Sequence, residues 1–287
     1  MDLRSLVDVA SASLVLDYQP FILSDDVQTG AAYSFIRGGD PRVNPPLVIK
    51  RQELSDSEWS RACDANARLR AMYDDLLDEV ASRFPKCSLF DVACNNGYFP
   101  VGAELRGMRG FGMDSRDHSA SFKLLNKARG TNATFIDGYY DSIRHRFRRR
   151  ARRFFPRGTI GRYDVSVVSA IMCHIPDPLY FLSAVARVSK RAILFWGQML
   201  NSSELVVSYK SPHNRLSELG EFPHAFNDNT RISRGLFDLA MKATGFSTVI
   251  EIDARPGWLR ELHAPQDMPL DQEIACGSQH RALLAIR

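Results

Sequence analysis

Hydrophobic and polar positions follow two patterns along the chain from about residue 86 onward. Short runs of apolar and β-branched residues predict strands, while apolar positions three or four residues apart predict helices between them. The predicted strands are residues 88–92, 110–114, 133–137, 163–170, 191–196, 247–252 and 281–286. The predicted helices are residues 98–105, 119–128, the arginine-rich run 144–157, 178–188 and 233–244, the last capped by Gly245. Strands and helices that alternate in this way are typical of an α/β protein with a largely parallel sheet.

Two segments lie outside this alternation. In the first 85 residues, an irregular stretch precedes a long helical pattern at 56–83, whose apolar residues recur every three or four positions. We expect residues 1–85 to form a helical lobe that packs on the sheet domain, residues 86–287. A second segment, at about 199–232, has little regular pattern and is an insertion after the fifth strand.

The stretch F-D-V-A-C-N-N-G-Y-F at residues 90–99 indicates a buried strand, a tight turn and the start of a helix. Gly97 allows the turn to adopt a positive φ or to approach a ligand closely. The next strand ends on Asp114, about 20 residues later, where such folds place the acid that accepts hydrogen bonds from a ribose. This arrangement predicts a ligand that contains adenosine. The dinucleotide fingerprint G-x-G-x-x-G is absent, because three of its glycine positions hold Ala93, Asn95 and Tyr98.

The same stretch resembles motif I of the class I S-adenosylmethionine-dependent methyltransferases, commonly D-x-G-C-x-x-G. Asp91, Cys94 and Gly97 match that motif, and Ala93 stands where its first glycine is expected. The variant D-x-A-C-N-x-G-Y-F resembles the subgroup of the tRNA wobble-uridine methyltransferases. The order of the predicted strands is also similar to this family, whose last strand lies antiparallel between the fifth and the sixth.

The resemblance covers about residues 86–287 and implies a Rossmann-like, seven-stranded methyltransferase sheet that binds S-adenosylmethionine and releases S-adenosylhomocysteine. It also implies a set of cofactor-binding residues at the ends of the first four strands: Asp91, Ala93, Cys94, Asn95, Gly97, Asp114, Ser115, Asp137, Gly138, Ala170 and Ile171. The turn would face the methionine part of the cofactor, with Asp91 fixing the turn or meeting the amino group through water. Asp114 would bind the ribose, Asp137 the adenine amino group, and Ala170 would lie beside the sulfonium.

Methyl transfer from a sulfonium requires an acceptor atom about 3 Å from the methyl carbon and the loss of a proton from an oxygen or nitrogen acceptor. It requires no metal, and no spacing of histidines and carboxylates suggests a metal site. His174, after the fourth strand, is a candidate base or orienting group because histidine titrates near neutrality. His213 and His224, in the insertion, are alternatives. The turn at His174 could instead serve to cap the next helix through Asp177 and Pro178.

The formal net charge of +4 depends on one segment. Eight arginines and no acid lie between Arg144 and Arg157, and their field could hold RNA phosphates, a membrane surface or an acidic partner. The alternative is a solvated basic helix whose phenylalanines dock on the sheet. RNA is therefore an alternative partner to a small-molecule acceptor.

Composition further limits the class of protein and the kinds of site that the chain can have. The chain has 287 residues, 45% of them hydrophobic, which suits a large α/β domain with an added lobe. Its five cysteines are dispersed without a C-x-x-C pair, which favours a reduced cytoplasm over a disulfide framework or a structural zinc. No run approaches the roughly 20 apolar residues that span a membrane. Neither a P-loop nor a G-x-S-x-G motif is present.

We therefore expect a methyltransferase that uses S-adenosylmethionine and modifies an oxygen, nitrogen or sulfur atom of a small molecule. Residues 1–85 would serve as a lid or substrate lobe, and the insertion would face the acceptor. An RNA-modifying methyl- or alkyltransferase and a non-catalytic, methyltransferase-like binding protein are the alternatives. The sequence leaves the oligomeric state open.

Overall fold

A computed structural model of the chain describes residues 1–30, 48–150, 160–200, 202–209, 230–252 and 278–287. These residues form two compact units. One contains the described residues of 1–86 and 94–135, and the other contains those of 87–93, 136–252 and 278–287. No described helix has the length and apolar character that a membrane span needs.

The elements are numbered in chain order. The chain starts with α1 (Val9–Ser13), β1 (Ile22–Ser24), β2 (Val27–Thr29), β3 (Val48–Lys50) and α2 (Asp56–Arg83). It continues with β4 (Ser88–Asp91), α3 (Tyr98–Glu104), β5 (Arg109–Asp114), α4 (Ser119–Arg129), β6 (Thr134–Asp141) and β7 (Arg146–Arg149). The remaining elements are β8 (Tyr163–Ser169), α5 (Pro178–Val188), β9 (Ser189–Leu200), β10 (Val207–Tyr209), β11 (Thr230–Ile232), α6 (Arg234–Ala243), β12 (Thr248–Glu251) and β13 (Ser278–Ile286).

The main sheet has eight strands in the described chain, in the order β12-β13-β9-β8-β4-β5-β6-β7. β8 pairs parallel with both β4 and β9, and β13 pairs antiparallel with β9 and β12. All seven predicted strands are present, with ends that differ by at most four residues. The prediction that the last strand lies antiparallel between the fifth and the sixth is confirmed. Val165, Val167 and Ile193 are fully buried in β8 and β9, as expected for apolar strands inside a parallel sheet.

Part of the arginine-rich run forms a strand, so the prediction of a helix there is wrong. β7 pairs antiparallel with β6 and makes a hairpin with it. Phe147 is buried between arginines that reach solvent, and its ring centroid lies 5.7 Å from that of Tyr140 on β6. The alternation of Arg146, Phe147 and Arg148 has a period of two, which suits a strand with one buried face. Residues 151–157 of the run lie outside the described residues.

A small antiparallel sheet, β1-β2-β3, accompanies the long helix of the N-terminal region. The sequence pattern predicted α2 but not these strands, because runs of three residues are too short to show an alternation. Gly245 has a φ of +89° after α6, so the predicted cap glycine is confirmed.

α2 begins at a capping box and buries one stripe. Ser55 Oγ accepts a hydrogen bond from Glu58 N at 3.3 Å, and the Glu58 carboxylate accepts one from Ser55 N at 2.9 Å. Tyr73, on the buried stripe, lies against α3, with its ring centroid 5.1 Å from that of Tyr98 and 4.8 Å from that of Phe99. Within this unit the long helix therefore packs against the helix that follows the motif I turn.

Gly110 allows β5 to contact the backbone of α3. A Cβ atom at this position would lie 1.9 Å from the carbonyl oxygen of Pro100, far inside any permitted contact. The neighbour is backbone rather than a flexible side chain, so the helix would have to move.

We predict that Gly110→Ala lowers the free energy of unfolding by at least about 2 kcal/mol, because a methyl group there overpacks a rigid contact. Gly161→Ala is the matched control, since a Cβ at Gly161 meets nothing within 4 Å. Urea denaturation of both variants measures the difference. Equal stability of the two would contradict the close contact.

Asp164 joins the first residues of β8 and β4. Its Oδ2 accepts hydrogen bonds from Ser88 N and Ser88 Oγ, both at 2.8 Å, and Ser88 Oγ accepts one from Asp164 N at 2.8 Å. Burial raises the pKa of Asp164, but the Ser88 hydrogen bonds and the charges of Lys190 and Arg191 outweigh burial and hold it below its ordinary value.

We predict that Asp164→Asn costs about 1 kcal/mol of stability at pH 7. Because the folded pKa is lowered, this stabilisation is present above the ordinary carboxyl pKa and is lost as the pH falls through the folded value. The difference from wild type should therefore shrink below about pH 4 in urea denaturation. A difference of the same size at pH 7 and pH 3 would argue against the ionised carboxylate as its source.

Candidate cofactor site

The turn after β4 is held in an unusual backbone conformation. Cys94 N donates to Met113 O of β5 at 3.0 Å, and Gly97 N donates back to Cys94 O at 3.0 Å. Asn95 and Gly97 have φ angles of +46° and +98°. A Cβ at Gly97 would lie 2.6 Å from the Phe122 ring, so both the backbone and this neighbour require glycine. The prediction of a tight turn that depends on Gly97 is confirmed.

Asp114 ties this turn to the end of β5. Its Oδ2 accepts a hydrogen bond from Asn95 N at 3.0 Å, and its Oδ1 accepts one from Arg116 N at 2.9 Å. Each oxygen has a second lone pair, so the half-buried carboxylate can still accept from a ligand. Ser115, beside it, is exposed. The acid therefore lies at the turn, as its position in the sequence predicted.

Asn96, which sequence analysis did not single out, fastens the N-terminal segment 15–19 to the turn. The Asn96 side chain is completely buried. Its Nδ2 donates to Val15 O at 3.0 Å and to Asp17 Oδ1 at 3.2 Å, while its Oδ1 accepts from Tyr18 N at 2.9 Å and Gln19 N at 3.2 Å. These four bonds use the whole hydrogen-bonding capacity of the amide.

Gln19 adds a second link between segment 15–19 and the turn. Its Oε1 accepts from Tyr98 N, in the first turn of α3, at 2.9 Å, and both residues are buried. The amide of Tyr98 cannot bond within its own helix, so Gln19 satisfies a donor at the helix start. No local pattern in the sequence connects residues nearly 80 positions apart, which is why both links were missed.

His118 is a further residue that sequence analysis missed. It precedes α4, and its backbone oxygen accepts from Phe122 N at 3.1 Å and from Ser121 Oγ at 3.1 Å. Its Nε2 is buried and has no hydrogen-bond partner among the described residues. Burial lowers the pKa of His118, although the charges of Asp114 and Asp17 act in the opposite direction. Burial therefore favours the neutral form of the ring, on which the charge of the Asp114 carboxylate also acts.

The other unit contains the remaining predicted cofactor residues. Asp91 is 1% exposed on β4, opposite Val167 of β8. Ala93 is partly buried after the end of this strand. Asp137 and Gly138 do not end the third predicted strand, because β6 continues to Asp141 and pairs with β7. The Arg150 guanidinium lies 3.8 Å from the Asp137 carboxylate, so this acid has a cationic neighbour.

Ala170 leaves the end of β8 in a strained conformation. Its φ is +53°, a value that residues with a Cβ seldom adopt, and its backbone nitrogen donates to Trp196 O at 2.7 Å. Such strain is concentrated at functional sites. Ile171 follows, and His174 lies exposed at the end of a short 3₁₀ helix, Met172–His174. His213 and His224 lie outside the described residues.

A second cluster, which sequence analysis missed, surrounds Asp177. Tyr140 donates to its Oδ2 at 2.7 Å, and His145 Nδ1 lies 3.1 Å from the same atom. The His145 ring stacks on Tyr180 at a centroid distance of 3.9 Å. Burial, followed by the hydrogen bond to Asp177, raises the pKa of Tyr140, which keeps the phenol protonated as a donor. Asp177 is the N-cap residue of α5 and Pro178 follows at its first position, as suggested, although the Asp177 side chain makes no cap hydrogen bond.

Comparisons with known proteins add information on the fold. No protein-family model and no curated protein matches the chain. The N-terminal domain of EvdMO1, solved in the presence of S-adenosylhomocysteine and D-fucose, is 14% identical with a TM-score of 0.51, over 75% of this chain and 82% of that chain. The O-methyltransferase from a trans-AT PKS multienzyme of Brevibacillus brevis, in complex with S-adenosyl-L-homocysteine, is 15% identical with a TM-score of 0.51, over 82% of this chain and 78% of that chain.

The two similar structures and the strand order indicate the same fold. The mixed sheet has helices between its parallel strands and an antiparallel strand inserted between the fifth and sixth strands of the predicted series. The chain has the α/β, Rossmann-like fold of the class I S-adenosylmethionine-dependent methyltransferases.

Proposed function

We propose that the protein is an S-adenosylmethionine-dependent methyltransferase that modifies an oxygen, nitrogen or sulfur atom of a small molecule. The observation that carries this proposal is the Asp114 carboxylate, which is bonded to Asn95 N of the glycine turn at 3.0 Å on a methyltransferase fold. The two similar structures were both solved with S-adenosylhomocysteine, and one of them also in the presence of D-fucose. The first fact supports S-adenosylmethionine as the cofactor, and the second supports a small-molecule acceptor.

The polar atoms of the turn suit an adenosine ligand. The Asp114 oxygens each retain an acceptor position, and Asn95 Oδ1 is buried without a hydrogen-bond partner among the described residues. In our proposal Asp114 accepts from the ribose hydroxyls, with Ser115 beside it, and the turn through Cys94 and Gly97 holds the methionine part. A carboxylate is the usual partner of a ribose diol in such folds.

The other residues of the proposed set belong to the second unit. Asp137 and Gly138 are assigned to the adenine, and the pairing of β6 with β7 fixes their backbone. Ala170 and Ile171 are assigned to the neighbourhood of the sulfonium, where apolar groups exclude water. The strained φ of Ala170 supports this assignment. Asp91 and Ala93 support the first strand and its turn.

When bound, S-adenosylmethionine supplies a methyl group on a positively charged sulfur, and the chain has to orient the acceptor and remove its proton. His174 is our candidate for the proton acceptor because it is exposed after β8, where solvent and an acceptor molecule can reach it. His213 and His224 remain alternatives. No metal ion is needed for a displacement of this kind.

The domain roles belong to the same proposal. Residues 1–85 would act as a lid or substrate lobe, and the insertion at about 199–232 would face the acceptor. A cytoplasmic location is also proposed, from the dispersed cysteines; those in the described residues, Cys63, Cys87, Cys94 and Cys173, form no disulfide bond with one another.

An RNA acceptor is the second candidate, and the β6–β7 hairpin favours it. Arg146, Arg149 and Arg150 are exposed there, whereas Arg148 contacts Asp141 at 3.2 Å. Exposed arginines on one edge suit phosphate groups. The likeness of the D-x-A-C-N-x-G-Y-F stretch to wobble-uridine methyltransferases also favours this candidate, as a methyl- or alkyltransferase.

We predict micromolar binding of S-adenosylmethionine and S-adenosylhomocysteine, and no comparable binding of NAD, in isothermal titration. Asp114→Ala should weaken both by about 1–3 kcal/mol, because it removes a charged acceptor. Asp114→Asn, which keeps one side-chain oxygen, should weaken the binding of both ligands by less than Asp114→Ala does. Thermal melting of each variant separates this effect from a loosened turn, and affinities equal to wild type would refute the ribose assignment.

We predict that the labelled methyl group of S-adenosylmethionine is transferred to the small-molecule fraction of a cell extract rather than to RNA. The double variant Arg146→Ser/Arg149→Ser should leave that transfer within about twofold of wild type, as should the control Arg109→Ser/Arg162→Ser, because these exposed arginines should add little to the binding of an uncharged small molecule. For an RNA acceptor the first variant alone would lower transfer, and transfer would fall steeply with salt.

A further inference from the structure

Segment 15–19 is held in position by hydrogen bonds to the turn at 94–97 and to the start of α3. The four hydrogen bonds of the Asn96 amide span Val15 to Gln19, and the Gln19 side chain adds a fifth to the start of α3. Asn96 has no exposed surface, so water can compete for its hydrogen bonds only at the atoms of segment 15–19. The position of segment 15–19 beside the turn is therefore fixed, and both belong to the same compact unit.

Asp17 is the charged residue of segment 15–19. Its Oδ1 accepts from Asn96 Nδ2 at 3.2 Å, and its other oxygen has no hydrogen bond among the described residues. The residue is exposed, so a ligand can reach the carboxylate. The charges of Asp17 and of Asp114 both act on His118, so both carboxylates lie near this ring.

The methionine part of the cofactor carries an ammonium group, which needs an anionic or strongly polar acceptor. Asp114 is assigned to the ribose, and Asp91 is 1% exposed. Asp17 is an accessible carboxylate held against the turn that faces the methionine part. We propose that Asp17 binds the ammonium group of the methionine moiety, with Asn96 as the positioning residue that holds it in place. This inference rests on the proposed function.

A purely structural role for Asp17 makes a different prediction. If Asp17 only accepted the hydrogen bond from Asn96, its replacement would disturb the turn and would affect every ligand bound there. If it binds the ammonium, its replacement affects only ligands that carry this group. S-adenosylhomocysteine and 5′-methylthioadenosine make this distinction, because the second keeps the adenosine and the sulfur but lacks the amino acid part.

The experiment is isothermal titration of the full chain and of Asp17→Asn with both ligands. We expect Asp17→Asn to bind S-adenosylhomocysteine at least about tenfold more weakly, the effect of losing a charge-assisted hydrogen bond, and 5′-methylthioadenosine within about twofold of wild type. The matched control is Asp25→Asn, which removes the same charge from an exposed residue in the same unit. It should change neither affinity.

Three results would overturn the inference in distinguishable ways. Unchanged affinity of Asp17→Asn for S-adenosylhomocysteine would show that Asp17 does not bind the ligand. An equal loss for both ligands would assign Asp17 a structural role at the turn. Wild-type protein that binds neither ligand would refute the proposed function itself, and the inference with it.

The variant Asn96→Ala gives a second measurement. It should weaken the binding of S-adenosylhomocysteine more than the binding of 5′-methylthioadenosine. An equal loss of affinity for both ligands would count against the positioning role.

Discussion

The hydrogen bonds that hold the turn at 94–97 are the constraint on which the candidate site depends. A turn with two positive φ angles is costly for an isolated chain, and here it is bonded on two sides. The Asp114 carboxylate accepts from Asn95 N, while the buried Asn96 amide binds the N-terminal segment 15–19. Phe122 closes the space beside Gly97. The turn is therefore rigid before any ligand arrives, which reduces the ordering cost of binding.

The part of this arrangement that the sequence predicted is local. Buried strands are visible as apolar runs, and the position of Asp114 follows from one strand, one turn, one helix and the next strand. The clamp through Asn96 and Gln19 joins positions nearly 80 residues apart. Nothing in the neighbourhood of either residue reveals such a partner, because an amide side chain has no periodic signature. Sequence reasoning therefore recognised the turn but not the groups that stabilise it.

The arginine-rich run shows how composition can hide a pattern. Eight arginines suggested a solvated helix. The structure has a strand there instead, with Phe147 buried between two arginines that reach solvent. The Asp177 cluster then joins this hairpin to α5, since Tyr140 and His145 both approach the same carboxylate oxygen. These contacts bring together residues from β6, the hairpin turn and the start of α5, so no single segment could have predicted them.

The hairpin has a further consequence for association between molecules. In the described sheet β7 is the last strand, and an outermost strand offers unpaired backbone groups that another chain can extend. Natural proteins protect such edges with charge. Arg146 and Arg149 are exposed on β7, so two molecules that approached edge to edge would bring like charges together. The arginines therefore oppose aggregation through this edge.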